Sequence, residues 1–448
     1  MSRSNKAITA SEIQHSPPTH RPAFKQPFVL VPQFFGSLVF DRIGVRYLPF
    51  DKEATELLKS LADQSIHQFI AEAESDTERE QLTGFYFHLD SLGLFDSNGF
   101  ANMDVIDHEP AEDFLSAPLV THVEVIGACN ITCTHCFAGT LPRNQNPLSL
   151  AELDRLFQEL VSLGCFRVSL TGGEPLMRAD ILEVIDSAID HGLAVAVTTN
   201  AMVIDEAMAE ALGNRKSLRL TVSLDGATAE SNDAVRGEGV FDEVCQRLAI
   251  LRKHSQFSLG FTVTNDVASE VDQCVELARE LGASAVVFRP LYPTGTALQN
   301  PDLMPTFEKY VKAINSVAGG THLEEDISEL ESQCGAGELL ASISVQGDVN
   351  PCSFLGNEFV SGNIRENSFR EIWNQGHQFK RLRELGAQSH SSSEASQSCG
   401  SIFQGGCRCR SLTATGDVNG ADPWHTEHQS NSETFFFPLK NLVANHEQ

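Results

Sequence analysis

The chain predicts an α/β protein: a partial (β/α)6 TIM-type barrel, with a winged-helix-like domain before it and a cysteine-rich domain after it. Three observations carry this. Between residues 118 and 300, six near-continuous apolar runs alternate with amphipathic helical stretches. Between 27 and 100, short strand-like segments precede three helical patterns. Between 325 and 425, a loop-rich stretch holds five cysteines among many glycines.

In the central unit the apolar runs are THVEVIGA, FRVSLTGG, LAVAVTTN, LRLTVSLDG, SLGFTVTN and SAVVFRPL. Runs of this kind predict parallel strands covered on both faces. Helical crossovers separate them: LSLAELDRLFQELVSLG, ADILEVIDSAIDHG, IDEAMAEALGN, VFDEVCQRLAILRKH and SEVDQCVELARELG. Ser149 and Glu152 are spaced as a capping box. Six strands are too few to close an eight-stranded barrel, so the barrel is open. Cys129, Gly172, Asn200 and Asp225 all fall at strand C-terminal ends, where such folds place their chemistry. Cys165, Cys245 and Cys274 lie away from those ends and are expected in the core.

In the first unit, SLVFDR and GVRYLPF read as strands around a turn at Gly44. DKEATELLKSLAD reads as a helix presenting Ala54, Leu57, Leu58 and Leu61 on one face. IHQFIAEA and TEREQLTGFYFHLDSLGLF follow as helices, the latter with Phe85, Leu89, Leu92 and Leu94 inward. Winged helices often read DNA. Here Asp76, Glu78, Glu80 and Asp90 surround a single Arg79, a poor surface for a phosphate-lined groove.

The totals agree with that exclusion. The 448 residues are 41% apolar and 21% charged, with a formal net charge of −28. Such acidity repels nucleic acid and anionic membranes, and no apolar run approaches the length of a bilayer span. Residues 1–26 lack the apolar core of a secretory signal and read as a disordered lead-in; 426–448 read as a tail with one apolar patch. Eleven cysteines without an export signal fit a reducing, cytoplasmic setting and metal or redox use.

The chemistry concentrates in Cys129-x-x-x-Cys133-x-x-Cys136. A [4Fe–4S] cube takes four ligands, and this loop offers three, leaving one iron open to a substrate or cofactor. Zinc or plain buried thiols are the alternatives; zinc sites more often pair two C-x-x-C units. Gly172-Gly173-Glu174-Pro175 follows a strand, and its glycines permit close backbone approach to a ligand. Thr199 and Asn200 end the next strand, and Ser223-Leu224-Asp225 ends the one after.

These motifs together resemble the radical S-adenosylmethionine (SAM) enzymes. The resemblance implies that Cys129, Cys133 and Cys136 hold a [4Fe–4S] cluster whose open iron chelates SAM, giving a 5′-deoxyadenosyl radical. It further implies SAM contacts from Gly172, Gly173, Glu174 and Pro175 to the amino group, from Thr199, Asn200, Ser223 and Asp225 at the strand ends, from Arg236 to the carboxylate, and from His135 near adenine. Where many peptide-modifying relatives have His-Asp before that arginine, this chain has Asn232-Asp233. No catalytic side chain is named by the motifs.

Cys334, Gly347-x4-Cys352, NIRENSFREIW and GGCRCRSLTATGD resemble the SPASM extension of the peptide-modifying members, close to the pyrroloquinoline quinone radical enzyme. That implies one auxiliary [4Fe–4S] cluster on Cys334, Cys352, Cys407 and Cys409, with zinc at the same thiols the alternative. The second auxiliary site looks eroded: Ser396 and Cys399 stand for a cysteine pair, an apolar position near Phe403 stands for a ligand, and Asp422-Pro423-Trp424-His425 replaces D-P-x-C. The N-terminal unit resembles the peptide-chaperone domain of pyrroloquinoline quinone biosynthesis, which binds a leader peptide along a sheet edge.

The expected whole is a radical SAM/SPASM maturase of a ribosomally made precursor peptide, recognised through its leader and reduced by a donor such as flavodoxin or ferredoxin. It would form a side-chain cross-link, thioether or carbon–carbon. Epimerisation, formylglycine formation of the sulfatase-maturing type, and a leader-binding scaffold with structural clusters are the other readings.

Overall fold

The structure, a computed structural model, describes residues 24–139, 146–317, 334–391 and 406–424, with backbone alone at 387–391. Most of the expected lead-in, the expected tail, Ser396, Cys399, Phe403 and His425 lie outside the described residues.

The N-terminal unit is a four-stranded sheet in the order β3-β2-β1-β4. β1 (Phe28–Gln33), β2 (Gly36–Asp41) and β3 (Arg46–Asp51) form an antiparallel meander. β4 (Met103–Val105) returns parallel to β1. The sequence reading found β2 and β3 but not β1 or β4. At the β2–β3 turn, Asp41 Oδ1 accepts the N–H groups of Ile43 (3.0 Å) and Gly44 (2.9 Å), an Asx turn. Three helices follow where expected: α1 (Lys52–Ser60), α2 (Ile66–Glu72) and α3 (Asp76–Ser91), capped by Asp51, Ser65 and Ser75. They cover one sheet face around Phe28, Leu30, Val39, Leu58, Leu61 and Leu89.

The opposite sheet face, Val29, Val31, Leu38 and Phe40, joins the barrel core. Phe40 stacks on Phe166 at 4.8 Å. Tyr47 Oη donates to Gly164 O (3.2 Å) and accepts from Phe166 N–H (2.8 Å), so β3 is pinned to the start of a barrel strand.

The barrel strands are β5 (Val120–Ile126), β6 (Arg167–Gly172), β7 (Ala194–Thr199), β8 (Leu218–Leu224), β9 (Ser258–Val263) and β10 (Ala285–Pro290), all parallel. Helices α4 (Leu150–Leu163), α5 (Ile181–Asp190), α6 (Glu206–Gly213), α7 (Ala229–Arg236), α8 (Val240–Leu251) and α9 (Val267–Leu281) cross over between them. The capping box of Ser149 and Glu152 is formed. α7 had no counterpart in the sequence reading.

Two-sided burial, expected from the apolar runs, is not what the strands do. β6, β7 and β9 alternate half-open and fully buried positions. Val168, Leu170, Val195 and Val197 pack under the helices. The other face carries Ser169, Thr171, Ala196, Thr198, Thr221 and Thr262, small side chains that leave the concave side accessible. An unclosed barrel keeps that side for a ligand. Cys165 and Cys274 are core residues as expected, whereas Cys245 on α8 is only half-buried.

The C-terminal unit completes the same sheet. After α10 (Phe307–Val317), β11 (Leu340–Ile343) pairs in parallel with β5, and β12 (Val349–Asn350) pairs back on β11. The full order is β10-β9-β8-β7-β6-β5-β11-β12. α11 (Phe369–Gln375), α12 (His377–Ser391) and α13 (Arg408–Thr415) follow. Trp373, fully buried, donates to Leu115 O at 2.8 Å and joins this unit to the barrel core.

Candidate active site

Strand ends bring the first set of residues together. β5 runs into Cys129, and the loop through Cys133 and Cys136 lies over the C-terminal ends of the neighbouring strands. β6 ends at Gly172, and the next two N–H groups continue the ladder: Gly173 donates to Ile126 O (2.7 Å) and Glu174 to Ala128 O (2.8 Å). A Cβ at Gly172 would sit 2.2 Å from Ile126 O, and one at Gly173 2.1 Å from Ala128 O. The close approach these glycines permit is therefore to the backbone leading into Cys129.

Glu174 is 1% exposed, and its carboxylate is spent inside the protein. It accepts from Thr199 Oγ1 (2.6 Å), Asn200 N–H (2.7 Å) and Leu176 N–H (3.0 Å). Burial raises its pKa, partly offset by these donors. These bonds tie the end of β6 to the end of β7. Asn200 also turns inward: Nδ2 donates to Asn130 Oδ1 (2.7 Å) and approaches Cys129 Sγ (3.7 Å), while Oδ1 accepts from Met202 N–H (3.0 Å).

Asp225, with no exposure, is the hub of the opposite wall. Oδ2 meets His135 Nε2 at 2.6 Å and Arg236 Nε at 2.7 Å; Oδ1 accepts Thr262 N–H at 2.8 Å. Burial alone would raise its pKa, but Arg236 and His135 outweigh that and bring it down to about 2. Burial likewise works against the Arg236 charge, and Asp225 more than restores it. His135 is thus a buried partner of Asp225, not a surface imidazole. Asn232, fully buried, accepts Asp225 N–H at 3.0 Å and donates to Asp233 Oδ1 at 3.0 Å, so it supports the hub instead of facing substrate. Ser223 lies on the half-open face of β8.

Each of the three loop cysteines is half-buried. Burial pushes the Cys133 thiol up to about 12, with Cys136 and Cys129 near enough to add to the effect and Arg236 opposing it. Residues 295–300, which the sequence reading passed over, clamp this loop. Thr296 Oγ1 donates to Cys133 O (3.0 Å), Thr296 N–H to Cys136 O (3.0 Å), and Asn300 Nδ2 to Thr134 O (2.9 Å). Gly295 adopts φ +58°, and a Cβ there would lie 2.2 Å from Cys136 O.

The second thiol group also assembles. Cys334, Cys352, Cys407 and Cys409 share one apolar cluster with Leu355, Phe359, Leu382 and Val418. Burial raises all four thiols, and the nearby thiols raise Cys334, Cys352 and Cys409 further. Cys407 caps α13, and its N–H donates to Asp422 Oδ2 at 2.6 Å. Asp422 also accepts from Arg410 (Nη2–Oδ2 2.8 Å), whose guanidinium lies 4.4 Å over the Trp424 ring. In this chain the Asp-Pro-Trp stretch is a structural pin for the cysteine loop.

Comparison with known proteins decides the family. Residues 123–297 match the Radical SAM superfamily, and residues 334–401 match the SPASM iron-sulfur cluster-binding domain. Mycofactocin maturase MftC of Mycolicibacterium smegmatis is 31% identical over 336 residues, 70% of this chain and 84% of that protein. The chain belongs to the radical SAM superfamily. AdoMet-dependent heme synthase of Methanosarcina barkeri is 30% identical over 345 residues, 69% of this chain and 96% of its own length. In fold, the chain is similar to Streptococcus suis SuiB bound to S-adenosylmethionine: TM-score 0.64 at 17% identity, covering 90% of this chain and 98% of that one. SuiB bound to precursor peptide SuiA gives 0.63 at 16% identity, over 89% and 98%.

As a radical SAM enzyme with a SPASM domain, the protein uses SAM, a [4Fe–4S] cluster and auxiliary iron–sulfur ligation. The donor chemistry fits. Three mutually close thiols on a backbone-clamped loop leave one iron free, and four converging thiols form a complete set. Protons must leave the thiols on loading, so cluster binding is coupled to pH. Among the described residues, no three His, Cys, Asp or Glu side chains close round a single ion. Nor is any described helix long and apolar enough to cross a membrane.

Proposed function

We propose that this protein is a maturase that modifies a ribosomally made precursor peptide. In this reading Cys129, Cys133 and Cys136 hold the SAM cluster, and the carbonyls of the Gly172–Pro175 loop and the Arg236 guanidinium receive SAM. Cys334, Cys352, Cys407 and Cys409 hold one auxiliary cluster. When bound, the first cluster and SAM supply a radical able to take hydrogen from an unactivated carbon. The chain's own residues hold the cysteine loop, orient Arg236 and His135 through Asp225, and enclose the reaction between the two thiol groups.

One observation carries the peptide assignment. Among the described residues the N-terminal sheet ends in β3, an edge with no further strand paired to it. Phe50 of β3 meets Phe85 of α3 at 6.2 Å. A strand edge flanked by a helix suits an extended peptide adding as a strand. We therefore read residues 27–100 as a winged-helix-like leader-binding domain, 118–300 as the radical SAM barrel and 325–425 as the SPASM domain. Tethering through the leader raises the local concentration of the core peptide at the barrel mouth. The equal likeness to heme synthases makes a tetrapyrrole the competing substrate, and this extra unit favours the peptide.

A side-chain cross-link, thioether or carbon–carbon, is the product we favour, because an auxiliary cluster can accept the electron that bond closure releases. Flavodoxin or ferredoxin would supply the reducing electron. Co-expression with short peptides encoded beside the gene tests this by mass spectrometry. Loss of two hydrogen masses supports a cross-link. Unchanged mass with inverted chirality would assign an epimerase. No modification of any neighbouring peptide, with SAM cleavage intact, would overturn the peptide assignment.

A further inference from the structure

One side chain touches both cysteine loops. Phe137 directly follows Cys136, and Phe354 lies two residues after Cys352. Their rings meet edge to face, with centroids 5.5 Å apart at 84°. The other side of Phe354 stacks on Tyr292, 4.3 Å away at 21°. Phe354 N–H points at Cys352 Sγ, 3.5 Å distant.

Tyr292 belongs to the segment that clamps the first loop, three residues before Gly295 and four before Thr296. It also faces the second: the Arg410 guanidinium is 5.8 Å from its ring, and Arg410 is held by Asp422, which takes Cys407 N–H. On the remaining side, Ser353 Oγ approaches His122 Nδ1 of β5 at 3.5 Å. Phe137, Phe354 and Tyr292 are all half-buried, at the junction of barrel and C-terminal unit. Edge-to-face and offset-stacked contacts fix both distance and angle, which an aliphatic side chain of similar volume does not.

We propose that Phe354 is a positioning residue that holds the three-cysteine loop at a set spacing from the four-cysteine group, through Phe137 on one side and Tyr292 on the other. This rests on the reading that each thiol group carries a cluster.

The test uses the full chain, reconstituted without oxygen, as wild type, Phe354→Leu and Phe354→Tyr. Phe354→Leu keeps most of the volume and guards against simple collapse. Iron is counted, and the microwave power needed to half-saturate the reduced SAM-cluster EPR signal is measured with the auxiliary cluster also reduced. The expected result is about eight irons per chain in all three, a half-saturation power changed at least threefold in Phe354→Leu, and recovery in Phe354→Tyr. An unchanged half-saturation power in Phe354→Leu at full iron would overturn the proposal alone. About four irons in the wild type would overturn the two-cluster reading beneath it.

Discussion

Oδ2 of Asp225 lies 2.6 Å from Nε2 of His135, and Nε of Arg236 shares the same oxygen at 2.7 Å. One carboxylate without solvent contact thus holds a side chain of the cysteine loop and the arginine beside Cys133. Removing its charge while keeping its shape isolates that role. Asp225→Asn leaves Arg236 buried beside a neutral group, a change that costs about 3–5 kcal/mol when one member of a buried pair is lost. We expect a lower urea midpoint and at least tenfold weaker SAM binding by equilibrium dialysis. Wild-type affinity in a folded, iron-loaded variant would contradict this assignment.

The same carboxylate gives the protein an acid limit. Its folded pKa of about 2 lies below the ordinary aspartate value, so its stabilising contribution is present above about pH 4 and fades as pH falls towards 2. In Asp225→Asn the loss of stability between these limits should be smaller than in wild type, the remainder coming from other lowered acids such as Glu152, which urea titrations will show.

Glu124 behaves in the opposite sense. It is 6% exposed on β5, and burial raises its pKa to about 7, opposed by the Val345 N–H. A raised acid stabilises while protonated, so the benefit is full below about pH 4.5 and is lost as pH rises through 7. Glu124→Gln removes that loss. The variant should exceed wild type by roughly 3 kcal/mol at pH 8 and converge with it near pH 5. An equal gap between variant and wild type at both pH values would refute it.

Glu174→Gln tests the brace between β6 and β7. All three neighbours of this carboxylate are donors, and an amide offers them one oxygen and a clashing NH2. Iron content should stay normal while SAM affinity drops at least tenfold, about 1.4 kcal/mol. Unaltered affinity would mean that the loop holds its shape without the brace.

Tyr47→Phe removes one hydroxyl and leaves Gly164 O and Phe166 N–H without their side-chain partner. Each orphaned buried group costs about 1–3 kcal/mol. Peptide-independent SAM cleavage should persist, whereas the urea midpoint should fall. An identical midpoint would show that water takes the place of the hydroxyl.

Much of this architecture was legible because chemistry and period coincide. A three-cysteine loop, a Gly-Gly-Glu-Pro turn and six strand–helix repeats each state their partners locally, and α4 even declares its cap at Ser149 and Glu152. The geometry behind the motifs was not legible. Whether Glu174 faces a ligand or Thr199 depends on a side-chain turn that no spacing encodes. Thr296 and Asn300 hold the cysteine loop through main-chain carbonyls, contacts that accept almost any sequence in the loop and leave no motif. β1 was readable in FVLVPQ, an unbroken apolar run at the edge of the lead-in, yet β4, three residues long, carries too little pattern to stand out. The apolar runs also misled about burial, because Ser, Thr and Ala lining a concavity read much like a covered strand.

The pairing of β11 with β5 has a consequence for biosynthesis. Val120 finds its partner Leu340 more than two hundred residues later. At ordinary elongation rates the flank of β5 waits on the order of ten seconds or longer for the ribosome to deliver that strand. During that interval the nascent chain presents an open, apolar β-edge beside the loop destined for iron. Newly made protein is therefore most exposed to misassembly just before its last quarter emerges, and low temperature or chaperone supply during expression should matter more for recovery than iron supplied afterwards.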